Sequence, residues 1–264
     1  MTLIPIRAPL GYRQLVPLNR EQHAALSLAP LSHRWCANLN AVHLNAVEFA
    51  SAAADYPIAF ARDEDTGEFL PMAVLGLRSA ENLFVDAAGR WLPRCYLPAF
   101  VRRYPFCIAE IPDAEGRAPQ RLVCFEEGTL VAGNTRADAA SPHILFTAQG
   151  QATDTWDNIQ RLLEAIENSR QQTRVLCKRL ESLGLFTPFE ALALPRVGKR
   201  MRLQGLFRID EEKMNAIPGK DLRIMLRKGE LRATYAHLIS LENFAKLMEL
   251  AVERESMQKM AASN

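Results

Sequence analysis

The sequence lacks the short patterns that bind metals and nucleotides in most enzymes. Its five histidines lie singly, without HxH, HxD or HExxH spacing: His23, His33, His43, His143 and His237. The segments "VAGNTRAD" and "VLGLRSAEN" carry one glycine each, too few for a phosphate-binding loop, and GxSxG is absent. We therefore predict no metal and no cofactor, and no motif assigns a catalytic residue. A metal site assembled from distant strands is the remaining alternative.

Long apolar runs are absent as well. No segment approaches the roughly 20 apolar residues that span a bilayer. The N-terminal segment is interrupted by Arg7, Arg13, Pro5 and Pro9, which argues against a signal peptide. We expect a soluble, cytoplasmic protein that does not span a membrane.

Cysteine is scarce and charge is nearly balanced. The five cysteines are odd in number and include no CxxC, which is typical of free thiols in a reducing compartment. A nucleophilic cysteine would need a histidine that folding brings close. The formal net charge is only +2, without the clustered basic stripe of a nucleic-acid-binding protein, so no nucleic-acid partner is predicted.

What is present is an ordinary globular composition, with 48% apolar and 23% charged residues over 264 positions. Such a chain buries a core without disulfides. No low-complexity linker divides it, so we predict a single domain over 1–264. Its parts would be a β-rich front at about 16–150, a helical back at about 151–250 and a frayed tail at 251–264.

The front of the chain predicts short helices followed by hairpins. Asn19 could cap one short helix, and Asn45 with Glu48 has the order of a capping box. "AAADYPIAF" and "FVRRYPFCI" align at a constant offset of 48, and each precedes a strand, an acidic glycine turn and a second strand. "ENLFVDAAGRWL" resembles a further hairpin. The fold class is therefore predicted as α+β, a mainly antiparallel sheet built from helix–hairpin units and packed with long C-terminal helices. Chance similarity remains an alternative explanation for the repeat.

The back of the chain is mostly helical. Apolar residues at spacings of three and four predict a helix from Asp154 to Leu183, with Gly184 ending it in the left-handed conformation. "RMRLQGLFRI" is typical of a strand. Asp210 begins a further helix, and the remaining segment is predicted as two helices broken at Gly229. The stripe of the long helix could pack internally or form a dimer seam.

The segment "YLPAFVRRYPF" (Tyr96 to Phe106) is the most distinctive one. We interpret it as a corner in which a short helix, begun by Pro98, turns into a strand. Of its two arginines, one is expected to pair with an acidic side chain such as Glu81 or Asp86. The other is either solvated, which is the favoured interpretation, or holds a carboxylate or phosphate. The basic cluster "PRVGKRMR" (196, 199, 200 and 202 carry the charges) is interpreted as a solvated turn.

These segments resemble the SapC family of bacterial proteins. The resemblance rests on "ADYPIAFA", "VLGLRSAENLFVDAAGRW" and "YLPAFVRRYPF", and then on a long helix with Cys177, "GLFRIDEEKMNAIP" and "YAHLISLENF". It extends from about Val16 to Leu250. Cys95, Cys107 and Cys124 are not features of the family pattern.

The resemblance implies a cellular setting. The family is named from an operon for export of a surface-array (S-layer) protein, and its members tend to be encoded near TonB-dependent receptors and flavin-dependent halogenase-like proteins. It implies a non-catalytic accessory or binding protein for surface-protein export or outer-membrane uptake. The alternative is a protein- or peptide-modifying enzyme, or a subunit that acts with a halogenase-like or oxygenase partner.

The predicted site for a ligand or partner is the arginine–aromatic stretch with its neighbouring hairpin. Its residues are Arg102, Arg103, Tyr104, Tyr96, Glu81, Asn82, Arg90 and Trp91. We expect a protein partner there, with an anionic small ligand as a further possibility and a dimer as an alternative assembly.

Overall fold

The computed structural model of the chain describes residues 8–24, 26–111, 120–132, 144–193 and 201–262. Its strands are β1 (Leu15–Pro17), β2 (Leu26–Leu28), β3 (Ala41–His43), β4 (Ile58–Arg62), β5 (Phe69–Val74), β6 (Phe106–Ile111), β7 (Gln120–Glu126), β8 (Leu130–Ala132), β9 (Phe186–Ala193) and β10 (Met201–Ile209). Its helices are α1 (Phe49–Ala52), α2 (Ala99–Arg102), α3 (Asp154–Ser182), α4 (Glu211–Asn215), α5 (Gly219–Arg227), α6 (Glu230–Ser240) and α7 (Asn243–Ala262). Short 3-10 turns cover His33–Cys36 and Ala46–Glu48. Since the strand pairs in these ranges are antiparallel, the α+β class is confirmed.

The chain forms two compact units. The first unit consists of Met1–Trp35 and Arg102–Asn168, and the second of Cys36–Val101 and Ser169–Asn264. The first unit contains a three-stranded sheet in the order β1-β7-β6 and the pair β2-β8. The second unit contains a five-stranded sheet in the order β3-β5-β4-β10-β9. The single domain over 1–264 stays a prediction.

The two helix–hairpin units exist, but they do not build one sheet. The pairs β4–β5 and β6–β7 each follow a short helix and a Tyr-Pro, as the repeat predicted. They lie in different sheets because each takes its next strand from a different segment. β4 pairs with β10, with Phe60 opposite Phe207, whereas β7 pairs with β1, with Phe125 opposite Val16. The prediction of one sheet was therefore wrong. The acidic turn at Gly116 lies outside the described residues.

The long helix is confirmed as α3, with 29 residues and a length of about 44 Å. Its apolar stripe is buried at Trp156, Leu163, Ile166, Leu176 and Leu180. The helix ends as predicted, because Gly184 has φ +66° and the Leu185 N–H donates to the Leu180 carbonyl at 3.0 Å. Its first part packs in the first unit, where Trp156 and Leu163 join Phe106, Phe125, Leu145 and Phe146.

Several local expectations at the front of the chain differ from the structure. Asn19 caps a turn and not a helix, since its side-chain oxygen accepts from the Glu21 and Gln22 N–H groups before β2 begins. The helix predicted from Asn45 is reduced to the 3-10 turn at Ala46–Glu48 and the four residues of α1. "ENLFVDAAGRWL" makes a single bridge between Val85 and Trp91, around a turn with Gly89 at φ +78°.

The back of the chain contains more elements than predicted. β9 was not predicted, because its Pro188 follows closely on α3 and proline is typical of a helix end. The strand is at the sheet edge, where a residue without an N–H is tolerated. The C-terminal segment has three helices, with breaks at Gly229 and between Ser240 and Asn243. α7 continues to Ala262 where fraying was expected, and the Arg254 guanidinium fastens it by donating to the carbonyls of Asn82, Leu83 and Val85.

The cysteines are free thiols, as predicted, and four of the five are buried. Burial raises the pKa of Cys36, Cys107 and Cys177 to about 12. Because the thiolate is the nucleophile, these side chains are inert at neutral pH. No group of three or more His, Cys, Asp or Glu side chains that could hold a metal ion occurs among the described residues. Within the same ranges, none of the helices has the length and hydropathy that crossing a bilayer requires.

His237 is a hydrogen-bonded residue of α6 and not part of a metal-binding group among the described residues. It is fully buried in α6, where its Nε2 accepts from the Ile209 N–H at 3.0 Å and its Nδ1 donates to the Ile58 carbonyl at 2.8 Å. This pattern requires the neutral ring. Burial lowers the pKa of His237 to about 4.

Acidification is expected to destabilise the protein through His237. Between pH 6.5 and about 4 the His237 ring is protonated in the unfolded chain but stays neutral in the native protein. The free energy of unfolding therefore falls as the pH falls through this window. The loss should approach about 3 kcal/mol near pH 4. Urea unfolding at several pH values measures it. His237→Gln, which keeps a donor and an acceptor but does not titrate, should flatten the dependence; an equally steep dependence in this variant would contradict the assignment.

Candidate partner-binding site

The arginine–aromatic stretch forms the predicted corner. α2 begins after Pro98, whose carbonyl accepts from the Val101 N–H at 2.9 Å. The chain then turns through Tyr104 and Pro105, and the Phe106 N–H donates to the Arg103 carbonyl at 2.8 Å as β6 begins. The chain thus changes from helix to strand within five residues.

Arg103 belongs to an aromatic cluster in the first unit. Tyr104 stacks on Trp35 with ring centroids 4.2 Å apart, and the Tyr12 ring meets both rings edge-on. The Tyr12 hydroxyl donates to the Phe106 carbonyl at 2.9 Å. Burial raises the pKa of Tyr12, and the charge and hydrogen bond of the Arg103 guanidinium partly offset this effect. Arg103 and Tyr104 are thus part of a packed cluster.

Arg102 differs from its neighbour, because its side chain is exposed whereas that of Arg103 is half-buried. Arg103→Ala should therefore lower the free energy of unfolding by about 2 kcal/mol, since Tyr12 loses a charged hydrogen-bond partner. Arg102→Ala should change it by less than about 0.5 kcal/mol, as at ordinary surface positions. Thermal or urea unfolding of both variants measures the difference. A larger loss in the Arg102 variant would contradict this division.

A buried carboxylate holds Tyr96, one of the predicted residues of the second unit. Glu48 is 4% exposed. Its Oε1 accepts from the Ala99 N–H at 2.7 Å and from the Tyr96 hydroxyl at 3.1 Å, while its Oε2 accepts from the Asn45 N–H at 2.9 Å. The Tyr96 N–H also donates to Asp55 at 2.8 Å. Glu48 therefore fastens the Tyr96–Ala99 segment to the 3-10 turn at Ala46–Glu48.

The other predicted residues of the second unit stabilise local backbone or pair at the surface. The Glu81 carboxylate accepts from the Leu77 and Arg78 N–H groups. Asn82 donates to the Cys36 carbonyl and accepts from the Phe84 N–H.

The remaining two predicted residues, Arg90 and Trp91, also have partners nearby in the second unit. Arg90 is exposed and pairs with Asp86 at 2.9 Å, and the Trp91 indole donates to the Tyr56 hydroxyl at 3.2 Å. Glu81 and Asp86, which the sequence offered as partners for the arginine pair, thus accept these local donors. A ligand-binding role for the predicted residues stays a prediction.

An open cleft of about 580 Å³ lies elsewhere in the second unit, and the sequence did not predict it. Three segments line it: the 3-10 turn with α1, the second part of α3, and the α5–α6 junction. Its size is in the range of ligand-binding clefts. Thr173 joins two walls, because its hydroxyl accepts from the Ala46 N–H at 2.8 Å and donates to the Ser169 carbonyl at 2.7 Å.

The cleft combines exposed apolar side chains with positive charge. Val47 is 71% exposed and Val175 is 53% exposed, so both leave most of their apolar surface to a partner. Lys228 and Arg232 are exposed at the third wall, and no carboxylate among the described residues forms an ion pair with either. The acidic residue of the lining, Glu230, is already paired with Arg179 at 2.9 Å. The cleft is therefore partly apolar and net positive.

The signals of this cleft in the sequence were weak but present. Val47 is the apolar residue of the Ala46–Glu48 turn that points away from the core, and Val175 interrupts the polar face of α3. Gly229, with φ +71°, makes the turn that brings Lys228 and Arg232 to one wall. Local patterns mark these positions as exposed, but their proximity is a property of the fold.

A SapC family model matches residues 18–247, so the chain belongs to the SapC family. No curated protein and no solved structure matches the chain.

Proposed function

We propose that this SapC-family chain is a non-catalytic accessory protein for bacterial surface-protein export or outer-membrane uptake, and that its cleft holds a segment of the protein partner. The cleft is the observation that carries the proposal. Its two exposed valines and two cations lie in one concavity of about 580 Å³. The free thiols are compatible with action in the reducing cytoplasm.

The lining defines the chemistry of the partner segment. An apolar side chain of the partner would bury the exposed surface of Val47 and Val175, which is the main favourable contribution to such contacts. An acidic side chain or a terminal carboxylate would pair with Lys228 or Arg232. A short segment with one apolar and one acidic residue fits both requirements.

Hydrogen bonds and an ion pair hold the walls of the cleft in place. The first wall is held by Glu48 and Thr173, and the third is held by the Glu230–Arg179 pair. Because these groups are anchored before any partner arrives, binding orders few additional side chains, and the loss of entropy on binding is small.

Affinity capture from the source bacterium tests the proposal. The tagged wild-type chain is compared with Val47→Asp/Val175→Asp and with Lys228→Glu/Arg232→Glu, and the captured proteins are quantified. We expect a component of the export or uptake machinery with the wild-type chain, and a loss of at least about tenfold with each double variant. Arg161→Glu, at an exposed arginine of α3 outside the cleft, is the matched control and should capture normally.

Two results would overturn the proposal. One is capture of only chaperones and ribosomal proteins by the wild-type chain. The other is recovery of an export or uptake component in equal amounts by the wild-type chain and both double variants. Unchanged unfolding curves of the variants would show that a loss of capture is a loss of binding.

A further inference from the structure

Helix α5 exposes two stripes of opposite chemistry side by side. Leu222 and Leu226, four residues apart, are 41% and 66% exposed. At about 100° per residue they lie within about 40° of each other around the helix. Met225 lies beside one edge of this stripe, and the basic residues of α5 lie beside the other edge. Met225 is fully buried and anchors the helix. The two leucines therefore form an apolar stripe that the described fold leaves uncovered.

The second stripe is cationic. Lys220, Arg223 and Arg227 are exposed and lie within a sector of about 60°, next to the leucine stripe. None of the three forms an ion pair with a carboxylate of the described residues. Three unpaired positive charges on nine residues make this face strongly cationic, although the whole chain carries only +2.

We propose that α5 docks on an anionic lipid surface, with Leu222 and Leu226 in the boundary between headgroups and acyl chains and Lys220, Arg223 and Arg227 on the lipid phosphates. Interfacial helices have this arrangement, an apolar stripe flanked by long cationic side chains. The lysine and arginine stems reach sideways, so their charges stay at the headgroups while the leucines insert.

The observations favour a lipid surface over a protein groove. A helix that binds in a groove presents apolar anchors at i, i+3 or i+4, and i+7. α5 offers only two exposed leucines within nine residues. Shallow insertion needs less apolar surface, because each cation near an anionic membrane adds attraction of its own. The face is therefore suited to reversible, charge-dependent attachment.

Vesicle flotation of the full chain tests this proposal. We expect binding to phosphatidylcholine vesicles that contain phosphatidylglycerol, little binding to phosphatidylcholine alone, and weaker binding as salt is raised. Arg223→Glu/Arg227→Glu and Leu222→Ser/Leu226→Ser should each reduce binding by at least about tenfold. Arg161→Glu, an exposed arginine outside α5, is the matched control and should float like the wild-type chain.

Three outcomes would overturn the proposal. They are equal binding with and without phosphatidylglycerol, undiminished binding of both double variants, and a dimer on a sizing column that Leu222→Ser/Leu226→Ser dissociates. The last would show that a second copy covers the stripe. Because the vesicle experiment contains no protein partner, its failure leaves the capture experiment on the cleft unaffected.

Discussion

Glu48→Ala is expected to lower the free energy of unfolding by about 4 kcal/mol, because three donors lose a charged acceptor at once. The Asn45 and Ala99 N–H groups and the Tyr96 hydroxyl all donate to this carboxylate, which is 4% exposed. Backbone N–H groups left unpaired in such a site keep their full desolvation penalty. Urea unfolding monitored by tryptophan fluorescence and circular dichroism measures the change.

Two control variants define the cause of that loss. Glu48→Gln keeps one acceptor oxygen and places an amide NH2 near a donor, so an intermediate loss of about 2 kcal/mol is expected. Glu64→Ala removes an exposed glutamate from the β4–β5 turn and should change stability by less than about 0.5 kcal/mol. A loss below about 1 kcal/mol in Glu48→Ala would show that water replaces the carboxylate, and that it does not organise this region.

Gly76→Ala is expected to destabilise the protein by roughly 3 kcal/mol or more, because an added methyl group has no room. A Cβ at Gly76 would lie 2.1 Å from the Glu81 carbonyl oxygen and 2.9 Å from the Glu81 carbonyl carbon. Both atoms belong to backbone, so the chain itself must move. The same segment carries the Glu81 contacts to the Leu77 and Arg78 N–H groups.

Gly219→Ala is the matched control for Gly76→Ala. Gly219 is the first residue of α5, and an added Cβ there meets no atom within 4 Å. Alanine should be neutral or slightly stabilising at this helical position. Thermal unfolding of the two variants compares a sterically closed glycine with an open one. Equal stability of both variants would contradict the close approach at Gly76.

Local chemistry explains why parts of the fold could be predicted. The stripe and glycine stop of α3 are encoded within the helix itself, and the Asn45–Glu48 order indicates a helical turn from four residues. The far ends of these interactions could not be predicted. Glu48 reaches Tyr96 and Ala99, which are 48 and 51 residues further along the chain.

Sheet membership was the least predictable property. Hairpins are local, so β4–β5 and β6–β7 were foreseen, but their outer partners β10 and β1 come from distant segments. β9 was not predicted because a proline such as Pro188 is typical both of the end of a helix and of an edge strand. Such ambiguity is resolved only when neighbouring strands are known.

The candidate site shows the same division. The arginine–aromatic corner was recognisable because its residues are consecutive, although packing decides that Arg103 joins the Tyr12 and Tyr104 rings. The cleft combines three segments, 46–50, 169–176 and 228–233, that are distant from one another in the sequence. Its exposed valines and its cations can be identified as parts of one site only in the folded structure, where they lie close together.

Site-specific photocrosslinking in the source bacterium tests the binding role of the cleft most directly. A photoreactive amino acid is placed at Val47 or Val175 in the cleft, and at Val131, an exposed valine of the first unit, as the control. The account predicts that both cleft positions crosslink to the same export or uptake component and that the Val131 position does not. No crosslink at the cleft positions, or the same products at all three, would contradict it.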